Sequence, residues 1–213
     1  MPQVTVEPVS QDEVVAFLSD PTSYGGKGDS VTQIDTHISV VFLVGDRAYK
    51  MKRAVRFPYL DYASLQNRRR FCEAEVALNR RTAPMLYRRA VPVTREPDRS
   101  LRLDGCGEPV EWLVEMARFD QSALFDRMAV EGRLTPRLLT CVADEIAAFH
   151  GVAESVVSRS GSTVMRWIVD GNETELTAQA SEIFEPAQIE TLFQQTRKAL
   201  SEVSVLLDRR SRQ

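Results

Sequence analysis

Cysteine is scarce in this chain: Cys72, Cys106 and Cys141 stand singly and are odd in number. Such a set builds no disulfide framework, and reduced thiols fit a cytoplasmic protein. Histidine is scarcer still, with only His37 and His150, and no Cys or His pair has ligand spacing; a structural zinc module is excluded. No apolar run approaches the ~20 residues that span a bilayer. The first residues carry the acids Glu7, Asp12 and Glu13 where a secretion signal has a basic start and an apolar run. Charge of one sign is also missing: 27 Lys and Arg against 30 Asp and Glu leave a net −3. We therefore expect a cytoplasmic chain with no nucleic-acid partner and no membrane partner. The Arg68-Arg69-Arg70 and Arg88-Arg89 runs read as solvated faces.

What is present is ordinary globular material: 213 residues, 43% hydrophobic and 27% charged. That suffices for one core or two lobes sharing a cleft. Ser10 with Glu13 reads as a capping box opening a short helix that Pro21 ends. Tyr24-Gly25-Gly26-Lys27-Gly28 has loop composition and lacks the Lys-Ser/Thr spacing of a P-loop. Strands are expected at Val31–Asp35, Val40–Val44 and Arg47–Lys52, with a tight turn at Gly45-Asp46. A helix is expected from about Ser64 to Arg81, then strands near Val91–Thr94 and Glu111–Met116 joined by a polar hairpin. Beyond Phe119 the pattern is helical. Thr135-Pro136 caps a helix with a stripe of Leu138, Leu139, Val142, Ile146 and Phe149. Asn172 and Glu175 read as another cap, Asp170-Gly171-Asn172 as a turn, and Pro186 as the start of a last helix.

The fold class expected is α+β: five antiparallel strands and one helix in an N-terminal lobe, then an all-helical part. Its expected divisions are 1–30, 31–119 and 120–213. Ala48-Tyr49-Lys50 places an Ala-apolar-Lys on the third strand, the pattern by which a kinase fold holds nucleotide phosphates. Lys52 shares the parity of Lys50, so alternation does not choose between them. On the helix, Leu65, Phe71, Cys72, Val76, Leu78 and Asn79 share a face with Glu75 near its middle. A carboxylate there needs a cation, and likeness to a kinase fold, whose helix glutamate pairs with its strand lysine, implies Lys50. The alternatives are Arg68 and Arg80.

Several motifs together carry a resemblance. They are Asp35-Thr36-His37-Ile38-Ser39-Val40-Val41-Phe42-Leu43, Asp46-Arg47-Ala48-Tyr49-Lys50-Met51-Lys52, Arg56-Phe57-Pro58-Tyr59-Leu60-Asp61 and Cys72-Glu73-Ala74-Glu75 with Leu78-Asn79-Arg80-Arg81. The chain resembles a bacterial family of aminoglycoside-phosphotransferase-like proteins with a protein-kinase-like fold, in many of which this domain precedes a P-loop kinase-type domain. The likeness runs on through Met116-Ala117-Arg118-Phe119-Asp120 to Ala147-Ala148-Phe149-His150. It implies ATP and Mg²⁺ as cofactors. Thr36 and Ser39 would meet phosphate oxygens in place of a glycine-rich loop, and Lys50, Glu75 and Lys52 would serve the phosphates. Glu115, Met116 and Ala117 would belong to a hinge, running from Glu115 to Phe119, whose backbone meets an adenine. His150 reads as a packing residue.

The chain departs from that family in its catalytic elements. Neither histidine precedes Gly-Asp, and no Asp-Phe-Gly-like element occurs. The resemblance implies that the acid and metal ligands of phosphoryl transfer would follow the last helix, past Gln213. The expectation is thus a phosphotransferase fragment that keeps the nucleotide side and is inactive alone. The rival expectations are a non-catalytic nucleotide-binding or interaction module, and one half of a split kinase. Without its cover, the last helix would expose Leu192, Leu200, Val203 and Leu207, a surface for a protein partner or for self-association.

Overall fold

A computed structural model describes residues 9–26, 30–154, 159–179 and 183–212. It divides into two compact units, Met1–Cys141 and Val142–Gln213. The architecture is mixed α+β, with six α-helices and eight strands among the described residues.

The first unit is built on an antiparallel sheet. Its strands are β1 (Val31–Asp35), β2 (Ser39–Val44), β3 (Arg47–Lys52), β6 (Tyr87–Arg95), β7 (Leu101–Leu103) and β8 (Glu108–Ala117), in the spatial order β1-β2-β3-β8-β6-β7. Between β3 and β6 lie a small hairpin, β4 (Arg56–Phe57) with β5 (Leu60–Asp61), and the helix α2 (Leu65–Asn79). The sheet therefore has six strands rather than the five expected. The polar hairpin between the last two contains β7, turned by Arg99 and Asp104, both at positive φ. Gly45 takes the left-handed conformation in the β2–β3 turn, where a side chain would be strained.

Both sheet faces are covered, which explains why β2 reads Ser-Val-Val-Phe-Leu-Val without a polar alternation. On one face Val40, Phe42, Val44, Tyr49, Met51, Val91, Val93 and Leu113 pack against Val14 and Leu18 of α1 (Gln11–Ser19). Each such fully buried side chain contributes about 1.5–3 kcal/mol. The segment 1–30 is thus no separate part, since α1 helps to form the main core. Ser10 caps α1 by accepting from the Glu13 N–H, but the Glu13 carboxylate pairs with Arg95 instead of closing a capping box. The loop-like stretch after α1 is more ordered than its composition implies: Pro21–Tyr24 forms a 3₁₀ turn, and Tyr24 is buried 5.2 Å from the Tyr49 ring. Lys27 and Gly28 lie outside the described residues.

The opposite face carries Ala90, Trp112, Val114 and Met116 against Cys72 and Val76 of α2. Ser64 caps α2, as its sequence predicts. The buried line of this helix is Arg68, Cys72 and Val76, however, and Leu78 is exposed. Arg68 is accordingly no solvated residue; it lies buried on Glu111.

After β8 come α3 (Phe125–Val130) and α4 (Pro136–Val152), a helix that crosses the division between the units. Thr135 caps α4 through the Leu138 N–H. None of the α4 stripe is buried, and His150, expected to pack, is exposed.

In the second unit α5 (Gly161–Gln179) and α6 (Pro186–Arg210) pack through Val169, Ile189 and Phe193, with Leu176 and Leu200 beside them. The expected turn at Asp170-Gly171-Asn172 and the cap at Asn172 and Glu175 are instead inside α5. Asp170 and Glu173 bind Arg197 of α6, so these polar residues tie two helices together. At Gly161 an added Cβ would lie 2.5 Å from the Leu207 carbonyl oxygen, so only glycine permits this approach. Leu192 and Val203 are exposed as expected, whereas Leu200 and Leu207 are half-buried. No helix among the described residues is long and apolar enough to cross a membrane.

Candidate functional site

Alternation along β3 sends Ala48, Lys50 and Lys52 to the α2 face of the sheet. Glu75, one turn before Asn79 on α2, meets both lysines: Lys50 Nζ lies 2.9 Å from Oε1 and Lys52 Nζ 2.5 Å from Oε2. Neither Arg68 nor Arg80 is the partner of Glu75; Arg68 holds Glu111, and Arg80 donates to the Tyr87 and Arg88 carbonyls. Burial alone would raise the Glu75 pKa, but hydrogen bonds from Lys52 and Lys50 outweigh it and hold the carboxyl below its ordinary value. Burial likewise acts to lower the Lys52 pKa, yet Glu75 reverses that and the net displacement is upward. Both displacements favour the charged forms of Glu75 and Lys52.

The two lysines differ in surroundings. The Lys52 side chain is 3% exposed, with its ammonium 4.9 Å from the Tyr62 ring centroid. The Lys50 side chain is 30% exposed and lines a cavity of about 500 Å³. Strand parity left the choice open; burial makes Lys50 the lysine that a ligand can reach.

That cavity is bounded by Ile34, Val41, Leu43 and Ala48 from the sheet, by the 36–39 turn, and by Leu86, Tyr87 and the chain from Met116 to Phe119. It brings together Thr36, Ser39, Lys50, Met116 and Ala117 of the expected site. The Glu115 side chain points to the other face, where Arg47 and Arg89 bind it, because neighbouring residues of a strand alternate and Met116 takes the cavity side; only its backbone was expected at the hinge. Two details differ from expectation. The Thr36 hydroxyl is spent inside its own turn, accepting from the Ser39 N–H and donating to the Ser39 carbonyl. The Ala117 N–H is also committed, donating to the Leu86 carbonyl. Ser39, by contrast, is buried with a hydroxyl that has no partner among the described residues. A buried hydroxyl lacking a partner is costly; Ser39 lines the cavity, but its oxygen is sealed from it.

Sequence reasoning missed a second ion group. Arg68 Nε lies 2.8 and 2.9 Å from the two Glu111 oxygens, and both residues are buried. Gln11 of α1 donates to Glu111 as well as to the Lys52 carbonyl. Glu111 thereby joins α1, α2 and the sheet. Its signal was a glutamate amid the apolar run Trp112-Leu113-Val114, but the partner could not be read from spacing. The described residues contain no cluster of three or more His, Cys, Asp or Glu able to hold a metal.

The chain matches uncharacterized protein Rv2004c of Mycobacterium tuberculosis and uncharacterized protein Mb2027c of Mycobacterium bovis. Each is 30% identical over 138 residues, which is 62% of this chain and 26% of the relative. The chain thus spans about a quarter of the length of the curated relatives it matches. No family model and no solved structure matches it. The geometry of the cavity therefore bears the weight of a functional reading. Apolar walls beside a reachable ammonium suit a ligand with a flat apolar part and an anionic part.

Proposed function

We propose that the first unit is the nucleotide-side lobe of an ATP-dependent small-molecule phosphotransferase, of the aminoglycoside-phosphotransferase-like kind. The observation that carries this reading is Lys50: a strand lysine, ion-paired to a helix glutamate, at the edge of an apolar cavity. The residues fit ATP in chemistry. Ile34, Val41, Ala48 and Met116 offer apolar surface to a base, and Lys50 offers charge to phosphates. ATP supplies the transferable phosphoryl group when bound. No three His, Cys, Asp or Glu side chains cluster among the described residues. We expect the chain alone to transfer no phosphate.

Calorimetric titration with Mg-ATP tests the reading. We expect binding by the wild-type chain and at least a tenfold loss in Lys50→Ala. Absence of binding at millimolar ATP, or equal binding by Lys50→Ala, would reject it.

A second reading, a module that associates through its helices, has support of its own. Trp167 of α5 is 63% exposed, and Val164, Met165 and Ile168 beside it are also exposed. Association that is independent of nucleotide and lost in Trp167→Glu would favour that reading.

A further inference from the structure

Two lysines on one carboxylate pose a question of charge and of division of labour. Lys50, Lys52 and Glu75 together carry a net charge of +1, where a single lysine–glutamate pair would be neutral. The two ammonium groups are not equivalent. Lys52 is enclosed by Glu75 and the Tyr62 ring, and has nowhere else to go. Lys50 is the partner open to the cavity. If Lys50 turned toward an anion, Glu75 would keep Lys52 and would not be left as an uncompensated buried charge.

We infer that Lys52 is the positioning residue for Glu75, holding α2 on the sheet and leaving Lys50 as a spare cation facing the cavity. The nucleotide part of this inference rests on the reading under Proposed function; the positioning part does not. It makes the cavity selective for an anionic ligand over its neutral counterpart, by a charge surplus that depends on a lysine the ligand never touches. Cys72 provides an independent reporter. It lies on α2 three residues before Glu75, fully buried, with its thiol directed to the Trp112 carbonyl. If α2 loosens, Cys72 becomes accessible.

The test uses the full chain with Cys106→Ser and Cys141→Ser, which remove the two exposed thiols. ATP and adenosine affinities are measured together with the rate of Cys72 labelling. Lys50→Met should lower the ATP-to-adenosine affinity ratio at least tenfold while Cys72 labelling stays within twofold. Lys52→Met should lower that ratio similarly and raise labelling at least tenfold, because Glu75 then neutralises Lys50 and α2 loses its enclosed tie. The double variant Lys52→Met/Glu75→Gln restores the +1 charge through Lys50 alone, so its ratio should return to within threefold of the starting protein. General structural damage would weaken both ligands together and would not be rescued by removing a second charge. An unchanged ratio in Lys52→Met, or no recovery in the double variant, overturns the charge argument. If the starting protein binds neither ligand, the nucleotide reading fails. Labelling then decides the positioning role by itself: faster in Lys52→Met than in Lys50→Met supports it, and equal rates reject it.

Discussion

Lys50 and Lys52 have the same type, strand and face, yet one is enclosed and the other borders a cavity. The same holds for Arg68, which looks like its exposed neighbour Arg69 but lies buried on Glu111. Removing one partner of a buried pair strands the other, at a cost of about 3–5 kcal/mol. Glu111→Ala should therefore lower unfolding stability by about that amount, read as a shift in the urea midpoint. Arg69→Ala should change it by less than about 1 kcal/mol. The Glu75 group also has a pH signature. Glu75 is held below its ordinary 4.5, so its stabilisation is complete above 4.5 and is lost as pH falls through the folded value. Lys52 is displaced above 10.5, so its contribution is complete below 10.5 and is lost as pH rises through the folded value. The stability advantage of wild type over Lys52→Met/Glu75→Gln should be flat between about pH 6 and 9 and shrink outside it.

Elements are where local rules worked best and where their limits are plain. Helices began beside Ser64, Thr135 and Pro186, as expected, because a helix start rests on local chemistry: a side chain accepting one N–H, or a proline in the first turn. The first three strands appeared within a residue of expectation. The short β7 escaped notice, since three residues with alternating Leu-Arg-Leu become a strand only by pairing with β6. The polar run inside α5 misled in the opposite direction. Asp170-Gly171-Asn172 has turn composition, but ion pairs to Arg197 and the packing of Val169 keep the helix continuous. Close approach of α5 to α6 at Gly161 gives a direct check. Gly161→Ala would force a Cβ onto the Leu207 backbone, and should destabilise the α5–α6 unit by about 1–3 kcal/mol. Hydrogen exchange of α5 and α6 amides, compared with those of the sheet, would register it.

The whole molecule divides into two compact units, Met1–Cys141 and Val142–Gln213. The second unit exposes several apolar residues, Trp167 among them, so the interaction reading predicts association at high concentration. Trp167→Glu should reduce any such association in sedimentation velocity without altering helical content, and a wild-type chain that stays monomeric at high concentration would remove the interaction reading. Periodic and local features were legible along the chain: an α+β pattern, the order of its main strands and helices, and a glutamate at position 75 on the inner face of a helix in need of a cation. Strand parity and 3.6-residue periodicity reveal faces but do not pick a partner, and Lys50, Arg68 and Arg80 all remained open. Packing settled that Glu75 meets Lys50 and Lys52, which lysine is free, that Thr36 is spent in its own turn, and that Arg68 is buried. These depend on which face of each element another element covers. Burial and partner choice are properties of the packed chain, and no spacing along it encodes them.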